Sequence, residues 1–206
     1  MKCEFFPDPL SEKEAMRRSI RAKLRALSPA FHAEASLVIC ELAGQMPAFA
    51  QAECVALFAP LLSEPNIHPL IEEAWARRKR VVLPRMIQEG SHPKLEWRVV
   101  TDWSEVIEPG PFGLRESDPS LCKPIEMHEL GCALIPGMAF DEDGFRLGRG
   151  GGFYDFFLSR VSSTLPRIGL MFGCQQVSKV PREPHDQALP GVITEDGLVT
   201  FSKSSS

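Results

Sequence analysis

Leu134 to Leu158, LIPGMAFDEDGFRLGRGGGFYDFFL, decides how the chain is to be read. The apolar run Ala133 to Phe140 predicts a buried strand. An acidic turn follows, and then Arg146-Leu147-Gly148-Arg149-Gly150-Gly151-Gly152. Beyond it Phe153, Phe156, Phe157 and Val161 recur at helical spacing. Strand, glycine loop and helix start form an anion cradle. Glycines permit positive φ and close backbone approach, and the first N–H groups of a helix lack partners inside it. Two arginines add fixed positive charge, so the expected guest is a polyphosphate. The loop is no P-loop, because GxxxxGK[ST] is absent, and it does not complete a dinucleotide fingerprint. A tight structural turn is the alternative.

Outward from this segment, strands and helices alternate. Ser11-Glu12-Lys13-Glu14 has the form of a capping box. Met16, Ile20, Leu24 and Leu27 then give a first helix. Ser28-Pro29 opens a second, over Ala30 to Gln45, with Ala33, Leu37, Cys40 and Ala43 inward. Val55 to Phe58 predicts a strand, and Asn66 to Arg78 a helix with Ile67, Leu70, Ile71 and Trp75 on one face. Arg80 to Leu83, Leu95 to Val100 and Ile168 to Phe172 predict further strands. Thr101 to Pro124 and Gln175 to Gly191 predict loops. Asp196-Gly197, between Val192-Ile193 and Leu198-Val199, predicts a terminal hairpin. The alternation implies one α/β domain over residues 1–206, a three-layer sandwich whose largely parallel central sheet is flanked by helices, plus a C-terminal hairpin.

Composition narrows the function. The chain has 206 residues, a net charge of −4 and a hydrophobic fraction of 44%. That argues against general nucleic-acid or membrane-surface binding. No apolar stretch is long enough to span a bilayer, and the N-terminus has no signal-peptide pattern. Six cysteines without a CxxC pair suit reduced thiols in a cytoplasmic protein.

Several residues carry candidate chemistry. Asp155, in the first turn of the helix after the loop, suits either the helix dipole or a Mg²⁺ beside bound phosphates. Asp186 lies in a loop poor in core residues, as a turn aspartate or a functional one. Lys13 and Arg17, at i and i+4, are expected opposite the apolar stripe. They form a solvated face, or a clamp on outer phosphates if that face meets the glycine loop. Glu64 follows a strand and precedes a helix, suiting a ring-binding carboxylate or a helix-entry residue. His68, His92, His128 and His185 lack ligand spacing, and His32 is expected on a helix surface. Neither GxSxG nor HExxH occurs.

The chain resembles the 5-formyltetrahydrofolate cyclo-ligase (5,10-methenyltetrahydrofolate synthetase) family. The resemblance rests first on Pro136-Gly137-Met138-Ala139-Phe140-Asp141, Gly144 and the run Arg146 to Asp155. It extends through Lys13-x-x-x-Arg17, Arg25-Ala26-Leu27-Ser28, Glu64, Leu70-Ile71, Lys79-Arg80-Val81, Leu83-Pro84, Phe112-Gly113-Leu114-x-Glu116, His185-Asp186 and Val192-Ile193-Thr194, nearly the whole chain. The resemblance implies that ATP and 5-formyltetrahydrofolate, with or without a polyglutamate tail, yield 5,10-methenyltetrahydrofolate, ADP and phosphate with Mg²⁺. Lys13, Arg149 and Tyr154 would be catalytic. Lys13, Arg17 and the run Arg146, Leu147, Gly148, Arg149, Gly150, Gly151, Gly152, Phe153, Tyr154 would hold ATP. Ala59, Glu64, Phe112 and the loop from Arg149 to Phe153 would contact folate, with Trp103 a weaker stacking candidate. Asp155 and Asp186 would hold the metal. A cytoplasmic monomer is expected.

The sequence departs from the family at four places. Leu189-Pro190-Gly191 stands where a second acid often follows the His-Asp pair. Ser117 follows Glu116 where proline is common, Gly151 replaces a lysine seen in some members, and Phe156 replaces a frequent arginine. A catalytically silent ATP-binding relative and an enzyme of another N-formyl substrate are the alternative readings.

Overall fold

The computed structural model describes residues 9–90, 92–107 and 115–201. The N-terminal half contains helices α1 (Pro9–Arg25), α2 (Pro29–Gln45), α3 (Pro47–Gln51) and α4 (His68–Ala76), with strands β1 (Cys54–Ala56), β2 (Arg80–Glu89), β3 (His92–Val100) and β4 (Val106–Ile107). There follow β5 (Glu116–Ser117), β6 (Cys132–Pro136), β7 (Ala139–Phe140), β8 (Arg146–Leu147), α5 (Phe153–Arg160), β9 (Arg167–Leu170), β10 (Gly191–Thr194) and β11 (Gly197–Thr200).

Seven strands form one sheet in the order β11-β10-β9-β6-β1-β2-β3. The five from β10 to β2 run parallel, and β11 and β3 pair antiparallel at the edges. Alternation within strands splits the core. Val55, Leu57, Val81 and Leu134 face Ile20, Ile39, Phe49 and Leu70 of the α1–α4 layer. Cys54, Ala56, Val82 and Ala133 face Phe153, Phe157 and Leu158 of α5. The predicted three layers, largely parallel sheet and terminal hairpin are therefore present. The order in which strands are added reverses between the parallel neighbours β1 and β6: β2 and β3 lie to one side, β9 to β11 to the other. Crevices form outside the carboxyl ends of parallel strands at such a switch point.

Local expectations differ from the structure in instructive ways. The predicted strand Ala133 to Phe140 breaks at Pro136-Gly137. A Cβ on Gly137 would lie 2.6 Å from Met171 Sδ, and buried Gln175 donates from Nε2 to the Gly137 and Met138 carbonyls, holding the chain out of the sheet. The segment then forms the β7–β8 hairpin. β2 and β3 are longer than expected and make one extended antiparallel arm, paired from Val81↔Val100 to Glu89↔His92. The terminal turn is Glu195-Asp196, one residue earlier than predicted, with Gly197 at φ +128° beginning β11.

α1 already includes Ser11, so the predicted capping box is not realised. In α2 Cys40 and Ala43 face inward as expected, but Ala33 and Leu37 are exposed and Ala35, Ser36 and Ile39 take their places. That helix is apolar nearly all round, so several stripes fit the sequence and packing on α4 and β10 selects one. His32 is partly buried beside Phe172, with ring centroids 5.0 Å apart, rather than a surface residue. The cysteines at 40, 54, 122, 132 and 174 are free thiols. No helix among the described residues is long and apolar enough to cross a membrane.

Candidate active site

A cavity of about 600 Å³ opens at the switch point. β1 delivers Phe58, Ala59 and Glu64 to it, β6 delivers Pro136 and Gly137, and the β2 arm adds Pro84 and Met86. Its opposite wall is the glycine loop with Arg146, Phe153, Tyr154 and Asp155. The loop is shaped by backbone rather than side chains. Gly150 has φ +110° and Gly152 φ +68°, and Gly152 caps α5 without a side-chain acceptor for its first N–H groups. Leu147 is the exception among the loop residues: its side chain is buried in the core and its carbonyl accepts the Met138 N–H at 2.8 Å.

α1 does meet this loop. Arg17 Nε donates to the Gly148 carbonyl at 2.9 Å. Lys13 and Arg17 do not lie opposite the apolar stripe as expected: Lys13 is only 6% exposed and flanks buried Ile20 and Leu24. At 100° per residue, positions 13, 17, 20 and 24 share one helical face. Lys13 Nζ reaches Glu183 Oε2 and Asp186 Oδ2, both at 2.7 Å, rather than the cavity itself. Burial alone would lower the lysine pKa, but these two carboxylates outweigh it and raise it.

Arg146 and Arg149 each have a carboxylate partner. Arg146 is almost fully buried and donates from Nη1 to Asp155 Oδ1 at 2.7 Å. Its Nε and Nη2 are buried without hydrogen-bond partners among the described residues. Arg149 turns across the cavity to Glu64 Oε1, with Nε at 3.0 Å and Nη2 at 2.7 Å. Glu64 is therefore a cavity residue and not the entry residue of α4, whose N-cap is Ile67. Tyr154 stands beside them. Burial first, then the Glu64 charge, holds its phenol pKa well above the usual range, so it stays neutral.

Asp155 also accepts the Gln187 N–H, at 3.4 Å, which connects it to the loop of Asp186. Glu183, His185 and Asp186 present ligand atoms within 4.8 Å of one another, as a metal site requires; Asp155 is not in that group. Sequence reasoning missed Glu183. Its signal was the spacing of two acids three residues apart in a turn, where the Glu183 N–H donates to Asp186 Oδ2 at 2.7 Å. It also missed Glu116, a buried acid on the cavity wall that accepts the Met86 N–H at 3.1 Å. Trp103 does not line the cavity. It packs on His68, with centroids 4.1 Å apart, and the Arg115 guanidinium over its ring is the cavity-lining group. Phe112 lies outside the described residues.

The model of the 5-formyltetrahydrofolate cyclo-ligase family matches residues 9–195. The chain is 34% identical over 185 residues to the 5-formyltetrahydrofolate cyclo-ligase of Escherichia coli K12, covering 85% of this chain and 96% of that one. It is 33% identical over 178 residues to the Haemophilus influenzae protein of the same name, covering 85% and 92%. Among solved structures, the 5,10-methenyltetrahydrofolate synthetase of Aquifex aeolicus superposes with a TM-score of 0.77 at 26% identity, covering 94% of this chain and 95% of that one.

Proposed function

The chain belongs to the 5-formyltetrahydrofolate cyclo-ligase family and is a ligase, and on that premise we propose that it closes 5-formyltetrahydrofolate to 5,10-methenyltetrahydrofolate while ATP becomes ADP and phosphate. The observation that carries this reading is one cavity walled on one side by a glycine loop with a buried, half-partnered arginine and on the other by a buried carboxylate.

Arg146 supplies the fit to phosphate. Two of its nitrogens are buried without hydrogen-bond partners among the described residues, a costly arrangement that anionic oxygens would relieve. The chemistry requires little more than charge and position. A formamide oxygen is a poor leaving group. Moving the γ-phosphoryl onto it gives an iminium phosphate. N10 then attacks the formyl carbon, the ring closes, and phosphate departs. Arg146, Arg149, Arg17 and the loop amides neutralise the phosphates, and Lys13 acts beside them by holding the Glu183 and Asp186 carboxylates. Glu64 accepts ring N–H bonds, while Ala59, Phe153 and Tyr154 wall the formyl region.

Asp186, with Glu183 and His185, offers the ligand group that suits a divalent cation, and Asp155 adjoins its loop through the Gln187 N–H. Lys13 and Arg146 keep those carboxylates paired. Bound there, Mg²⁺ supplies charge neutralisation at the phosphate oxygens. Among the described residues no side-chain set is arranged to activate water, so phosphoryl transfer depends on the folate acceptor. The reading places the enzyme in the cytoplasm as a monomer.

The test is ADP release with 5-formyltetrahydrofolate, with 5-methyltetrahydrofolate, and with no folate. One ADP per methenyl product, and negligible ADP otherwise, is expected, because the methyl compound has no carbonyl oxygen. Substantial folate-independent hydrolysis would make the loop an ATPase site and overturn the route.

A further inference from the structure

One ion pair spans the cavity. Arg149 belongs to the glycine loop after β8, and Glu64 to the segment after β1. Arg149 donates to Glu64 Oε1 from both Nε and Nη2, at 3.0 and 2.7 Å, and from Nη2 to Ser63 Oγ at 3.1 Å. Glu64 Oε2 accepts the Leu61 N–H at 3.0 Å. A carboxylate has about four acceptor positions. Three are taken, and both on Oε1 belong to Arg149. A polar ring entering the cavity finds only what remains on Oε2.

The two partners differ in freedom. The Glu64 side chain is 7% exposed and pinned by Leu61, whereas that of Arg149 is 36% exposed at the cavity face of a glycine loop. Arg149 is thus the partner able to move. Its fork matches a phosphate as well as a carboxylate, and it cannot hold both with the same nitrogens.

We infer that Arg149 is a positioning residue for the second substrate, acting through Glu64. When the nucleotide's phosphates take the Arg149 guanidinium, both acceptor positions on Glu64 Oε1 become available to the N–H groups of the folate ring. Arg149 masks the ring carboxylate, and nucleotide binding unmasks it. Linkage makes the effect reciprocal: folate competes for Glu64 and releases Arg149 to the phosphates. This inference rests on the proposed function, since it takes phosphate on one side of the pair and the ring on the other.

Calorimetric titration of the full chain tests it, with a non-hydrolysable ATP analogue plus Mg²⁺ and with 5-methyltetrahydrofolate. In the natural sequence, each ligand is expected to tighten the other about fivefold or more, by equal factors. Glu64→Gln keeps an acceptor for Leu61 but weakens the hold on Arg149. It is expected to bind the analogue alone about threefold to tenfold tighter than the natural protein, the reverse of what damage to the site would do. Glu64→Ala should do the same and serves if the glutamine variant is poorly folded. Binding of both ligands with a coupling factor within about twofold of one, or variants that bind the analogue no tighter, would overturn the inference and leave the proposed function standing. Failure of the natural protein to bind either ligand would overturn the proposed function and the inference with it.

Discussion

Arg146 Nη1 lies 2.7 Å from Asp155 Oδ1, so the residue that enters the glycine loop is tied directly to the helix that leaves it. The pair closes the loop as a clasp would. It also sets the charge that a phosphate meets, because the guanidinium is held with its remaining nitrogens unpaired among the described residues.

Asp155→Asn keeps the shape of that clasp and removes its countercharge. Unfolding free energy is expected to fall by about 1–3 kcal/mol, the usual cost of impairing a buried charge-assisted hydrogen bond. Urea denaturation measures it. Turnover should fall without any folate-independent ATPase appearing. Unchanged stability would mean that Asp155 contributes nothing to the loop.

Asp141 is completely buried and joins two site segments. Its Oδ1 accepts the Asp143 and Phe145 N–H groups, and its Oδ2 accepts the Val180 N–H and Arg182 Nη2. One segment leads to Arg146, and the other to Glu183 and Asp186. Asp141→Ala is expected to lower stability by about 2–4 kcal/mol, since four donors lose their acceptor. It should also raise KM for ATP. A loss below about 1 kcal/mol would contradict the clasp.

Within the glycine loop, Gly150 and Gly148 should respond differently to alanine. Gly150 has φ +110°, a conformation that side chains resist, and Gly148 has open space and no such φ. Gly150→Ala is expected to cost about 1–3 kcal/mol and Gly148→Ala much less. Thermal melts of the two variants decide it, and equal losses would contradict the backbone argument.

Much of this was legible in the sequence because local signals and tertiary demands agree. The change from apolar run to glycines to a Phe153-Phe157 spacing is local, and α5 begins at Phe153 as read. The capped start of α2 at Ser28-Pro29 is equally local. Long-range exchanges were not legible. Nothing near Lys13 announces Glu183, 170 residues away, and no motif pairs Arg149 with Glu64, 85 residues away. The break at Gly137 is set by Met171 and Gln175, which arrive from a different strand and turn. The inward face of α2 was misjudged because its sequence is apolar on several faces.

Glu116 gives a pH test. Burial pushes its carboxyl pKa above the usual range, against smaller opposing pulls from the Met86 amide and Arg85. A raised carboxyl pKa means the folded state binds the proton more tightly than the unfolded one. That contribution to stability is fully present below about pH 4.3 and is lost as pH rises through the folded value. Glu116→Gln removes the titration and keeps an acceptor for Met86. Relative to the natural protein it should gain stability between acidic and neutral pH, most near neutrality. A difference that does not change with pH would contradict the burial argument.

The central claim is that a single cavity joins a phosphate cradle to a folate-ring carboxylate for ATP-driven ring closure. The most direct measurement mixes the protein with 5-formyltetrahydrofolate, ATP and Mg²⁺ and follows the methenyl chromophore in the near ultraviolet, omitting each component in turn. The account predicts that the chromophore grows only in the complete mixture, and that Lys13→Ala or Arg149→Ala lowers kcat/KM for ATP roughly tenfold to a hundredfold. Folded protein that forms no chromophore with the monoglutamate or any polyglutamate substrate, or that forms it without ATP, would contradict the account.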